Sequence, residues 1–290
     1  MTFLLNLLMF LKSMSDTPKI AAYVSAWNLL QNGFDYQTSL RRMLDFFDEV
    51  VVAVNASSDS TLLTLQSFAD QIENVGRLKI ISTSFSYTDV TFDGAVKNAA
   101  LQACSKGPDW VYCQMDLDET VLPSQRAMWR EYAKSLLLYS ELDCFMFPSL
   151  DLWGSKDKIR ADKSIGLKFR LHKGGLYRGV WKGAWIDAAY TRFDINRSDS
   201  CELIDEKSNL ARAMPVVPPQ YLHPASCFML TSYPLVVHNG YLDYNQRVKV
   251  NKAIWAEHWK LRNGGNPAEV FTDVGDMREL SVVPHGLKLE

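Results

Sequence analysis

Four short, nearly apolar runs alternate with segments of helical period, and that alternation leaves few folds open to the chain. The runs are Ile20–Ala26, Glu49–Val54, Leu78–Ile81 and a stretch opening at Asp109-Trp110. Apart from Ser25, Glu49, Lys79 and Asp109 they are too uniformly apolar to turn one face to water, as expected of strands buried on both sides of a parallel sheet. Between the first two, Tyr36, Leu40, Met43, Leu44 and Phe47 recur at helical spacing, with Arg41, Arg42 and Asp45 off that stripe. Leu62, Leu65, Phe68, Ala69 and Ile72 form a second stripe, and Gly94–Ala103 supplies a third helix. Strands and helices in alternation specify an α/β domain with a mainly parallel sheet and right-handed crossovers. A chain of 290 residues with 47% hydrophobic content suits one elaborated domain of that kind.

The fourth run carries the chemistry. It ends in Asp116-Leu117-Asp118-Glu119, shortly before a Pro123-Ser124 helix start. If the chain stays extended, Asp116 and Asp118 point the same way while Leu117 turns to the core. Paired carboxylates suit Mg²⁺ or Mn²⁺, and an ion held by only one or two of them keeps positions open for substrate phosphates. An Asp-x-Asp arises about once by chance at average composition, so position rather than spacing carries the expectation. Ligands of open α/β sheets bind at the carboxyl ends of the strands, where Ser25, Asn55, Asp59, Asp116 and Asp118 all fall. The loop Asn55-Ala56-Ser57-Ser58-Asp59-Ser60-Thr61 is also fit to cap the helix that follows.

Other features exclude function classes. Neither the glycine-rich dinucleotide fingerprint nor the phosphate loop of P-loop enzymes follows any of the strands. A net charge of −2 offers no broad basic field for nucleic acid or an anionic membrane. Five cysteines without a Cys-x-x-Cys pair argue against a zinc site or a disulfide framework and for reduced thiols in the cytoplasm. The apolar leader Met1–Leu11 is too short to span a bilayer and lacks the marks of a signal peptide. It is expected to be dispensable, as an upstream-initiation extension or a segment that docks peripherally on a surface, with Met14 as an alternative start. Leu289-Glu290 reads as a cloning scar.

Beyond Pro123 the sequence predicts a helix carrying Met128, Trp129, Tyr132 and Leu136, then a strand Cys144–Phe147. Leu167–Trp181 reads as a hairpin turning at Gly174-Gly175, with Lys168, Arg170 and His172 on one face as a solvated basic surface or a phosphate or acceptor contact. Arg192–Pro234, with five prolines and little periodicity, reads as a long loop region over the site. A last strand delivers His238 ahead of an Asp243-x-x-Gln246 capping box, which opens a helix to about Asn263. Taken alone, His238 is open to a structural role or a ligand role.

In their order, these segments resemble the nucleotide-diphospho-sugar glycosyltransferases of the GT-A fold, family 2 type. The resemblance runs from about Lys19 to Leu261 and rests on Ser25-Ala26-Trp27-Asn28, Asn55-Ala56-Ser57-Ser58-Asp59, Val96-Lys97-Asn98 and Asp116-Leu117-Asp118-Glu119 with Val121-Leu122-Pro123. Lys168-Phe169-Arg170-Leu171, Tyr177-Arg178-Gly179 and His238-Asn239-Gly240-Tyr241 extend it. It implies a GT-A-like, Rossmann-related central sheet flanked by helices, with a small hairpin and a C-terminal helical elaboration. Residues 19–125 would form the nucleotide-sugar-binding half, and 126–288 the acceptor-binding half of the same domain, after a leader at 1–18. By the same resemblance Ser25, Asn28, Asn55 and Asp59 line the nucleoside pocket, Asp116 faces ribose and metal, Asp118 binds the metal, and His238 is a further metal or diphosphate ligand.

The implied partners are a nucleotide-diphosphate sugar donor, Mn²⁺ or Mg²⁺, and a glycan or glycoconjugate acceptor, with no nucleic acid and no transmembrane segment. The chain departs from the family pattern in two places. The first acid of the second-strand loop is absent, and no His-Glu or acid pair follows Tyr177-Arg178-Gly179. Asp187 is the first candidate for the catalytic base and Asp151 the second. A non-catalytic sugar- or nucleotide-binding domain and a sugar-1-phosphate nucleotidyltransferase are the alternative functions; the loop Ser25–Gly33 lacks the Gly- and Arg-rich composition expected of the latter.

Overall fold

The computed structural model describes residues 17–71, 76–86, 92–140, 142–160, 165–173, 192–193, 213–243 and 282–284. The alternating half forms as its sequence predicts. Strand β1 (Lys19–Ala26) leads to helix α1 (Tyr36–Leu44), β2 (Glu49–Asn55) to α2 (Thr61–Gln71), and β3 (Leu78–Thr83) to α3 (Phe92–Ala103) and then β4 (Trp110–Gln114). Asp35 starts α1 by accepting a hydrogen bond from Thr38 N at 3.2 Å, and Tyr36, Leu40, Met43 and Leu44 form the buried stripe. All seven residues of β2 are buried, which is why its run carries no alternation. β3, β2, β1 and β4 lie side by side and parallel, with Val24 paired to Val52 and Val52 to Ile80.

The second half adds antiparallel strands on the β4 side. β5 (Glu119–Val121) follows β4 closely, and a 3₁₀ turn Pro123–Gln125 feeds α4 (Arg126–Leu138). Trp129 is fully buried in α4 and meets Phe147 edge-on, with ring centroids 4.4 Å apart. The chain continues through β6 (Cys144–Trp153), β7 (Lys158–Arg160), β8 (Gly166–His172), β9 (Arg192–Phe193), β10 (Ala213–Pro215), β11 (Val236–Tyr241) and β12 (Val282–Pro284). The main sheet path runs β7-β6-β8-β4-β1-β2-β3, placing β4, which leads into the acids, near its middle. β11 inserts between two partners, antiparallel to β5 and parallel to β6.

Three expectations change. The strand at Cys144 runs on through Pro148 to Trp153, because its partners are the edges of β8 and β11 rather than a turn. Part of the supposed loop region is ordered into β9, β10 and the 3₁₀ segments Pro219–Leu222 and Pro224–Ser232. The basic face of β8 is inverted: Lys168, Arg170 and His172 are buried, so they make no solvated surface. The leader, the Gly174-Gly175 turn, Asp187 and the helix after Asp243 lie outside the described residues. Cys104, Cys113 and Cys144 are buried free thiols, and among the described residues no helix is long and apolar enough to cross a membrane.

Candidate functional site

The chain does not run on extended through the acids. It turns at once, with Glu119 N donating to the Asp116 carbonyl at 3.0 Å and Asp116 N donating to Glu119 Oε2 at 2.9 Å. This reciprocal pair closes a four-residue turn, corrects the expectation of two carboxylates projecting from one strand face, and gives Asp116 and Asp118 different partners. Asp116 Oδ1 accepts from Gln114 Nε2 at 2.9 Å and lies 3.8 Å from Lys97 Nζ, while Asp118 Oδ2 lies 3.2 Å from His238 Nε2. Burial pushes the Asp116 carboxyl up, but the nearby cations, Lys97 foremost, outweigh it and keep it below the usual carboxylate range.

Glu119, the third acid of the run, is the anchor of the turn. Its Oε1 accepts from Lys168 Nζ at 2.8 Å and from Arg170 Nη2 at 2.5 Å, both from β8. Arg170 Nη1 also donates to the Gln114 carbonyl at 2.6 Å and to its side-chain oxygen at 3.0 Å, tying the end of β4 to the same group. Burial acts to raise the Glu119 pKa, yet Arg170 and Lys168 hold it at about 2. A buried carboxylate with two buried cations is a fixed charge that sets where its neighbours stand. The sequence carried a signal for it, since Lys168 and Arg170 sit two apart and share a strand face.

β11 brings in the histidine. His238 is in register with Glu119 of β5 and with Asp151 of β6, so its strand runs between them and its imidazole stands between Asp118, next to Glu119 in the chain, and Asp151. Nε2 lies 3.2 Å from Asp118 Oδ2 and Nδ1 3.2 Å from Asp151 Oδ1. Burial favours the neutral ring, but Asp118 and Asp151 outweigh it and raise the His238 pKa well above the usual imidazole value. Asn239 N donates to the Asp118 carbonyl at 2.7 Å and locks β11 to the acid turn. The structure thus gathers Asp118, His238 and Asp151, and leaves Asp116 with Lys97.

The residues expected around the nucleoside stand at the carboxyl ends of β1 and β2, but their polar groups are occupied within the chain. Asn28, at φ +46°, accepts from Ser58 N at 2.8 Å and donates to Ser58 Oγ at 2.9 Å and Gln31 Oε1 at 3.1 Å. Asn is one of the few side chains that tolerates this left-handed backbone. Asn55 clamps the backbone of Phe85, donating to its carbonyl at 2.9 Å and accepting from its N–H at 2.8 Å. Asp59 accepts from Gln31 N and Thr61 N, both at 2.9 Å. These three side chains shape the loops, while Ser25, half-buried, pairs with Ala53 across the sheet.

Does this arrangement suit a divalent ion? Two ligands at right angles, each about 2.1 Å from an ion of the Mg²⁺ kind, stand about 3.0 Å apart, close to the 3.2 Å between Asp118 Oδ2 and His238 Nε2. The space beside them is kept clear by Gly240, where a Cβ would fall against Asp118 Oδ2 and 2.8 Å from His238 Nε2. Asp118 and Asp151 approach opposite nitrogens of the ring and so do not converge on one point. Among the described residues no three His, Cys, Asp or Glu side chains are gathered as a ready metal site. The donor set fits an ion with two protein ligands whose other positions come from phosphate and water, with the Nε2 proton displaced on binding.

No protein-family model matches the sequence, and no curated protein matches it. Solved structures do. One is S. aureus TarS 1–349 in complex with UDP, with 16% identity over 56% of this chain and 40% of TarS, at a TM-score of 0.34. The mannosyltransferase PcManGT from Pyrobaculum calidifontis, in complex with GDP-Man and Mn²⁺, gives 13% identity over 96% of this chain and 75% of that one, at 0.42. Glucosyl-3-phosphoglycerate synthase from Mycobacterium tuberculosis, in complex with Mn²⁺, UDP and glucosyl-3-phosphoglycerate, gives 15% identity, 47% and 45% coverage, and 0.29. The chain spans less than half the length of the TarS and synthase chains. TM-scores of this size leave the functional reading to rest on the side chains.

Proposed function

We propose that the chain is a metal-dependent glycosyltransferase that moves a sugar from a nucleotide-diphosphate sugar to an acceptor hydroxyl on a glycan or glycoconjugate. One observation carries the reading. At the carboxyl end of a parallel sheet, a carboxylate and an imidazole stand 3.2 Å apart beside a glycine that a side chain would block. Asp118 and His238 would hold Mn²⁺ or Mg²⁺, and an imidazole adds no negative charge beside a diphosphate. When bound, such an ion would supply charge neutralisation on the departing nucleotide as the sugar carbon becomes cation-like.

The chain's own groups prepare that step. Lys97 keeps Asp116 ionised toward the donor ribose, and Glu119 with Lys168 and Arg170 holds the acid turn rigid, so the carboxylates need no reorganisation when charge develops. Asn28, Asn55 and Asp59 build the wall against which the nucleoside lies, with Ser25 at its base. The donor half is 19–125 and the acceptor half 126–288, as the sequence suggests. The acceptor proton goes to Asp187, which lies outside the described residues.

A thermal-shift screen of nucleoside diphosphates and sugar nucleotides, with and without Mn²⁺, tests the reading. Saturation at about 100 times Kd stabilises by about 2.7 kcal/mol, so a true donor raises the melting temperature clearly, and more with Mn²⁺ than without. Turnover of that donor separates a transferase from a non-catalytic binding domain. No shift with any nucleotide in Mn²⁺ would sink both.

A further inference from the structure

We propose that Gln114 is a positioning residue that decides which oxygen of Asp116 meets the donor: it holds Oδ1 within the protein and leaves Oδ2 as the acceptor for a ribose hydroxyl of the nucleotide. This inference rests on the functional reading above. Gln114 is fully buried at the end of β4. Met115 N still donates to the Tyr23 carbonyl at 3.2 Å, so strand pairing runs one residue past β4, and Gln114 and Asp116, two apart, share a side. The Gln114 amide accepts from Arg170 Nη1 at 3.0 Å through Oε1 and donates to Asp116 Oδ1 at 2.9 Å through Nε2. A guanidinium only donates and a carboxylate only accepts, so the amide, with an acceptor and a donor on one plane, joins them in a single orientation.

The bonds close a ring. Asp116 N donates to Glu119 Oε2 at 2.9 Å, Glu119 Oε1 accepts from Arg170 Nη2 at 2.5 Å, and Arg170 returns through Gln114 to Asp116 Oδ1. The same buried pair, Glu119 and Arg170, thereby holds Asp116 at its backbone and at one carboxylate oxygen, and the side chain cannot turn without breaking the ring. Lys97 Nζ, 3.8 Å away, faces Oδ1 as well. Oδ2 has no hydrogen-bond or ion-pair partner among the described residues, and the Asp116 side chain keeps 30% of its exposure. A fixed oxygen that only accepts, opening at the carboxyl end of the sheet, is matched by a ligand that brings a hydroxyl, as a nucleotide does on its ribose.

Calorimetric titration with UDP, GDP and their 2′-deoxy and 3′-deoxy forms, all in Mn²⁺, tests this without any turnover. The parent should bind one of the two ribonucleotides about 10-fold or more tightly than one of its deoxy forms, the worth of a hydrogen bond to a charged group. In Gln114→Glu the new carboxylate keeps the size of the side chain and accepts from Arg170 but has no proton for Asp116; in Gln114→Met both bonds go. Both variants should lose the ribose preference, a ratio in which any general change of affinity or stability cancels. A parent that binds without preference, or a folded variant with the parental preference, overturns the inference. Should neither variant fold, NMR of the parent decides: the Gln114 side-chain amide protons should shift with the preferred ribonucleotide and not with its deoxy form, and an equal response to both overturns it. A parent that binds none of these nucleotides would instead contradict the donor reading itself, so the two failures are distinguishable.

Discussion

Gly240 matters through what it lacks. Its backbone passes so close to Asp118 and His238 that a methyl group would have to displace both side-chain tips. Gly240→Ala should therefore cost about 1–3 kcal/mol of stability, the usual range for overpacking, and markedly weaken Mn²⁺ binding because Asp118 must rotate away. Unchanged Mn²⁺ affinity in the folded variant would show that the gap is not where an ion sits. A second residue-scale test concerns His172. It is fully buried, accepts from Tyr23 O–H at 2.9 Å through Nε2 and donates from Nδ1 to the Lys173 carbonyl at 3.2 Å. Burial lowers its pKa to about 3. The unfolded chain, titrating near pH 6.5, binds the proton that the folded chain refuses. Stability is thus full above about pH 6.5 and falls, by up to about 1.4 kcal/mol per unit, as the pH drops toward 3. Denaturant unfolding between pH 7 and 5 should show a shallower loss in His172→Gln than in the parent, and equal slopes would contradict a buried neutral ring. At this scale, Asp118 and His238 were legible because each is polar and ends an apolar run. Gly240 and the partner of Asp151 were not, since both depend on how β11 registers against strands far away in sequence.

The acid turn and β8 form one element-scale unit. Glu119 reaches Lys168 and Arg170 across 49 and 51 residues, and the pair of buried cations has that carboxylate as its shared acceptor. Glu119→Gln removes the carboxylate that these two buried cations share and should destabilise the fold by about 3–5 kcal/mol, measured by urea unfolding. A loss below about 1 kcal/mol, the size of a surface ion pair, would mean that water reaches the cluster. The alternation of β8 showed that Lys168 and Arg170 share a face, but a period of two is symmetric and does not say which face meets the core. Hydrophobicity alone pointed to Leu167 and Leu171, and both are indeed buried. The strand is buried on both sides, and only a distant acid explains the charged one. For the same reason the extended reading of Asp116 to Glu119 failed, because the Glu119 side chain itself closes the turn.

For the whole molecule, the alternation of apolar runs and helical stripes was enough to give the α/β class and the parallel half of the sheet. Those features follow from local periodicity and short crossovers. In the other half the start of β6, β8 and β11 were read from their apolar runs, whereas β5, β9, β10 and the continuation of β6 to Trp153 were not, because these are defined by partners well separated along the chain rather than by their own pattern. The site lies where the two halves meet, with Asp118 leaving β4 of one and His238 and Asp151 carried by β11 and β6 of the other. On the function proposed, this junction holds the cation of a nucleotide-diphosphate donor. Calorimetric titration of UDP and GDP into the parent and Asp118→Ala proteins, each with and without Mn²⁺, decides it. Mn²⁺ should strengthen binding of at least one diphosphate to the parent, and Asp118→Ala should keep its fold and lose that increment. An increment equal in both proteins, or absent from the parent, would contradict it.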